Sequence, residues 1–73
     1  MAKKKFSIKI ASDTSREKVF AEIYYNEEEW AEISQEEEKP LIAFFPPLHQ
    51  KYWEFPLDEA LEVIEEAKKN LLE

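Results

Sequence analysis

The stretch Val19-Phe20-Ala21-Glu22-Ile23-Tyr24-Tyr25-Asn26-Glu27-Glu28-Glu29-Trp30-Ala31-Glu32-Ile33-Ser34 decides the fold. In its first half Val19, Ala21, Ile23 and Tyr25 alternate with Phe20, Glu22 and Tyr24. In its second half Ala31 and Ile33 alternate with Trp30, Glu32 and Ser34. A period of two marks half-buried β-strands. Asn26 tolerates left-handed backbone, so the link between them reads as the turn of an antiparallel hairpin. Pairing Tyr25 with Glu29 leaves the three-residue loop Asn26-Glu27-Glu28. Paired residues share a face, so Ile23 meets Ala31 and Ala21 meets Ile33 on the inner side. Tyr24 then meets Trp30, and Glu22 meets Glu32, on the outer side. One residue fits badly: such a loop usually ends in Gly or Asn, and Glu28 stands there.

Similar alternation recurs outward from the hairpin. Strands are expected at about 5–11, 19–25, 29–35, 41–45 and 52–55, followed by a helix over 57–72. Phe6, Ile8 and Ile10 share one face of the first strand. Leu41 to Phe45 is apolar throughout, so its facing is not legible, and Tyr52 to Phe55 is short enough for an edge strand. Pro46 and Pro47 end the fourth strand, since proline cannot donate to a ladder. From Pro56 the period changes, and Leu57, Ala60, Leu61, Ile64, Ala67, Lys68 and Leu71 follow helical spacing. Asp58 suits the N-cap, and Glu59 and Lys69 complement the macrodipole. Short links favour a meander. The expected fold is α+β: a four- to five-stranded antiparallel meander with one C-terminal helix on one face, in a single domain, 1–73. Phe6, Ile8, Ile10, Val19, Ala21, Ile23, Ala31 and Ile33 would face Leu57, Leu61, Ile64 and Leu71.

One helix covers one face of a sheet. The other face would carry Phe20, Tyr24 and Trp30, joined by Phe45 and Tyr52. A contiguous aromatic patch marks an interaction surface; the competing readings are cross-strand aromatic pairing that stiffens the sheet or the Pro46–Lys51 loop folding back over it. These five residues are the expected binding site.

Composition narrows the function classes. The chain has 73 residues, 37% of them charged, with net charge −7, no cysteine and no glycine. Disulfides, thiolate metal sites and cysteine nucleophiles are excluded, as are glycine-rich phosphate loops. Ten aromatic residues separate it from a disordered acidic tail. Lys3, Lys4 and Lys5 give the first twenty residues a positive balance, while the remainder is acidic, which argues against nucleic-acid binding. No stretch is long and apolar enough for a membrane span or a signal-peptide core, so a cytoplasmic protein is expected. A domain this small draws its stability from dense packing or from association with another chain.

Catalytic signals are weak. Glu22 and Glu32 form a carboxylate pair of the kind used in acid–base chemistry, but Lys5 and Lys9 would project beside them, and a surface salt ladder explains them better. His49 sits in a proline-flanked loop with no positioned nucleophile. Glu27-Glu28-Glu29 and Glu36-Glu37-Glu38 lack the spacing of a calcium loop. No catalytic residue, cofactor or metal is expected.

At Ile8-Lys9-Ile10-Ala11-Ser12-Asp13, Ala21-Glu22-Ile23-Tyr24, Ala31-Glu32-Ile33-Ser34-Gln35-Glu36 and Leu57-Asp58-Glu59-Ala60-Leu61-Glu62, the chain resembles a family of small uncharacterised bacterial α+β proteins. That resemblance implies a fold and no activity. Glu27 stands where a glycine would be expected in the second turn. The leading functional expectation is a non-enzymatic protein–protein interaction module, binding a protein partner or a second copy of itself. The alternative is an acidic inhibitor or immunity-type protein masking a basic site on a toxin or nuclease. The absence of glycine and the regular helix also suit a designed or stabilised scaffold.

Overall fold

The computed structural model describes residues 5–72. Strands β1 (Phe6–Ala11), β2 (Phe20–Tyr25), β3 (Glu28–Ser34) and β4 (Leu41–Phe44) form one antiparallel sheet in the order β1-β2-β3-β4, and helix α1 spans Leu57–Leu72. The α+β class and the antiparallel meander are as the alternation predicts. The expected fifth strand at 52–55 is absent among the described residues. Residues 45–56 instead form an irregular loop over one end of the inner face. There the Trp53 indole N–H donates to the Phe45 carbonyl at 2.7 Å. Phe55 lies 4.8 Å from Phe6, 4.6 Å from Tyr25 and 5.0 Å from Trp30 between ring centroids. Three ring contacts in the core hold this segment more firmly than a short edge ladder would.

The β2–β3 hairpin differs from its sequence-based register. Ala21 pairs with Ile33, Glu22 with Glu32 and Ile23 with Ala31, as expected, but Tyr24 pairs with Glu29 and Tyr25 with Glu28. Asn26 and Glu27, at φ 52° and 68°, form a two-residue turn with both residues left-handed. That is the backbone whose twist matches a β-ribbon. The turn demands one register and the apolar pattern beyond it demands another, offset by one residue. A β-bulge between Ile23 and Tyr24 absorbs the difference, leaving Trp30 as the extra residue of β3.

The bulge turns Trp30 inward. Only 7% exposed, it packs with Ala21, Ile23, Ala31, Ile33, Val63, Ala67 and Leu71, and Phe6 and Ile8 lie against this cluster. Burying a Trp contributes about 3–5 kcal/mol. That outweighs a lost ladder bond, about 1 kcal/mol, and a left-handed Glu27, about 1–2 kcal/mol.

Helix α1 lies over β2 and β1. Its stripe of Ala60, Val63, Ala67 and Leu71 faces the sheet, whereas Leu57 (71%) and Leu61 (53%) are exposed, contrary to expectation. Small Ala60 and Ala67 let the helix approach closely, which a Leu57–Leu61 seam would prevent. Ile10 and Val19 are also more exposed than expected. Asp58 sits inside the first turn rather than at the N-cap, because the Pro56 carbonyl already accepts the Ala60 N–H at 3.1 Å.

Candidate interaction surface

The outer face of the sheet is covered in part by the β1–β2 loop. Asp13 holds the loop's turn, its carboxylate accepting the Ser15 N–H at 3.0 Å and its carbonyl accepting the Arg16 N–H at 3.0 Å. The Glu36 carboxylate accepts the Glu17 and Lys18 N–H groups at 3.1 and 2.9 Å, tying this loop to the one after β3. These bonds hold both carboxyls below their usual range; a nearby Arg16 adds to the effect. Arg16 is thereby laid across the sheet. Its guanidinium carbon stands 4.0 Å from the Phe20 ring centroid, and Nη2 lies 2.6 Å from a Glu32 carboxylate oxygen.

Beneath Arg16 lies an acidic cluster. Glu22, Glu29 and Glu32 can bring carboxylate oxygens within 4.8 Å of one another. The Tyr24 hydroxyl donates to Glu22 at 3.0 Å, and one Glu29 oxygen is buried without a hydrogen-bond partner. Burial, then Glu22 and Glu32, push the Glu29 carboxyl above its usual range, while Arg16 opposes them. Burial and its bond to Glu22 likewise raise the Tyr24 phenol. These three carboxylates are the group best placed to hold a cation. Arg16 and the Tyr24 hydroxyl already occupy two of them, so the arrangement works as an ion-pair and hydrogen-bond network. Sequence reasoning missed Glu29, because only the bulge places it beside Glu22 and Glu32.

The five expected interface residues do not form one patch. Phe20 (6% exposed) is buried under Arg16, and Trp30 is in the core on the opposite face. Tyr24 is half-buried on the outer face. Phe45 starts the irregular loop, its N–H donating to the Trp30 carbonyl at 2.9 Å, and Tyr52 is exposed further along that loop.

Exposed apolar surface gathers instead on β4. Leu41, Ile42, Ala43 and Phe44 are all exposed, Phe44 by 58%. Ile42 and Phe44 pair with Ile33 and Ala31, so they lie on the inner face, where they stay exposed while α1 packs mainly on β2 and β1. The Trp30–Phe45 bond sets the ladder's phase: Ala43 faces β3, while the N–H and C=O groups of Ile42 and Phe44 point to the free edge. Residues 41–48, Leu-Ile-Ala-Phe-Phe-Pro-Pro-Leu, carry no charge.

Comparison with family models, with curated proteins and with solved structures finds no match to this chain. Among the described residues no helix is long and apolar enough to cross a membrane. The surface chemistry therefore carries the functional argument.

Proposed function

We propose that this domain is a non-enzymatic protein–protein interaction module that binds through the β4 edge. One observation carries the reading. Among the described residues β4 is the last strand of the sheet, so its outer edge offers backbone donors and acceptors flanked by exposed Leu41, Ile42 and Phe44, with no charged residue between Leu41 and Leu48. Natural edges are usually blunted by charge, and strand addition to an open edge is a recurring recognition mode. The aromatic-face version of this reading loses support, because Phe20 and Trp30 are buried. Its test compares assembly state and affinity capture for the wild type, Leu41→Lys and Tyr24→Ser. Loss of association in Leu41→Lys alone is expected. Association unchanged in Leu41→Lys would refute the β4 reading, and loss confined to Tyr24→Ser would restore the outer face.

The acidic inhibitor reading rests on the net charge of −7. It gains little from the outer face, where Arg16 is paired with Glu32 inside the cluster.

A further inference from the structure

We infer that the occupant of the β4 edge is a second copy of this chain, paired antiparallel about a two-fold axis at Ala43. This rests on the β4 reading above and adds the partner and the register.

The two edges of the sheet are unequal. β1 carries Lys9, with Lys5 just before it, the usual guard against strand addition. β4 carries no charge at all. The net charge of −7 opposes self-association, and the uncharged run 41–48 places no like charges against each other at the contact itself. An open edge at one end and a guarded edge at the other limit assembly to a closed pair rather than a fibre.

The register follows from the backbone. Pro40 and Pro46 lie equally far from Ala43 on either side, and neither can donate. With the axis at Ala43, Ile42 N–H and C=O meet Phe44 C=O and N–H of the other copy, and the same again by symmetry. The ladder then ends at a proline on both sides. Ile42 and Phe44 of both copies share the inner face, and Leu41 and Phe45 share the outer one. The result is an eight-stranded sheet, β1-β2-β3-β4 continued through its symmetry mate. It would also give cross-strand neighbours to apolar side chains that the monomer leaves in water: among the described large residues only Ile23 is fully buried.

Ala43 would face its own copy across a non-hydrogen-bonded pair, where the Cα separation is about 4.5 Å, within disulfide reach. Three measurements test this. Light scattering on the wild type should move from 8.7 kDa toward twice that mass as concentration rises, at low and high salt alike. Ala43→Cys should form a covalent dimer under mild oxidation at least about tenfold faster than a Lys9→Cys control. Ala43→Lys should weaken dimerisation by up to about fivefold, with an unchanged circular dichroism spectrum. Within one chain position 43 pairs with Glu32, which favours a lysine, whereas two lysines facing each other oppose the dimer.

A wild type that stays monomeric, with Ala43→Cys no faster than its control, overturns the self-pairing. The β4 reading would then stand or fall on the Leu41→Lys capture result. A dimer whose affinity Ala43→Lys leaves unchanged overturns the proposed register.

Discussion

Glu29 and Trp30 are neighbours in the chain and project to opposite sides of the sheet, one into the acidic cluster and the other into the core. Trp30 is the extra residue of the bulge, so Glu29 reaches the outer face beside Tyr24 while the indole sits 5.5 Å from Phe6. One inserted residue therefore builds both the core and the outer cluster.

Trp30 dominates stability. Trp30→Ala should cost about 3–5 kcal/mol. That is comparable to the whole stability of a core this size, about 3–5 kcal/mol. Thermal melts should show Trp30→Ala largely unfolded at 25 °C and Tyr24→Ser shifted by only a few degrees. Equal losses in the two variants would contradict the bulged register.

The hairpin turn holds a removable strain. Glu27 is left-handed without being glycine. Glu27→Gly should stabilise by about 1 kcal/mol, because glycine adopts this backbone without a Cβ clash. In a domain of this size that raises Tm by about 4–8 °C. A lower Tm would mean the turn is not of this type.

Arg16 acts through stacking and through charge, and two substitutions separate these. Arg16→Ala removes the cover over Phe20 and the partner of Glu32, at an expected cost of about 1–2 kcal/mol. Arg16→Met keeps apolar cover and should recover part of that loss. Identical denaturant midpoints for the two would assign the effect to charge alone.

Acid titration should reveal opposite signs in two carboxylates. Glu36, lowered by its bonds to the Glu17 and Lys18 N–H groups, contributes stability above the ordinary carboxylate range. That contribution is lost as pH falls through its folded value. Glu29, raised chiefly by burial, binds its proton more tightly in the folded chain. Stability is therefore lost as pH rises from the ordinary value through the folded one. At neutral pH Glu36→Gln should lower Tm and Glu29→Gln should raise it, and both differences should shrink in acid. A Glu29→Gln difference that is constant across the titration would remove ionisation as its cause.

Elements and chain order were legible in the sequence because they depend on local period. Alternation marked β1, β2 and β3, the shift at Pro56 marked α1, and the Ala21–Ile33 and Ile23–Ala31 pairs followed from parity. The misfit of Glu28 at the end of a three-residue loop was the one local sign of a different turn. Tertiary packing alone decided the rest. A bulge forms when turn twist and core burial demand registers one residue apart, and the outcome depends on what an indole gains in a core that Phe55 and α1 bring from far along the chain. The helix face was set likewise, by how closely Ala60 and Ala67 let it approach the sheet. The inner face of β4 is left exposed because that same helix lies over β1 and β2, a placement that no short-range pattern in Leu41 to Phe44 encodes.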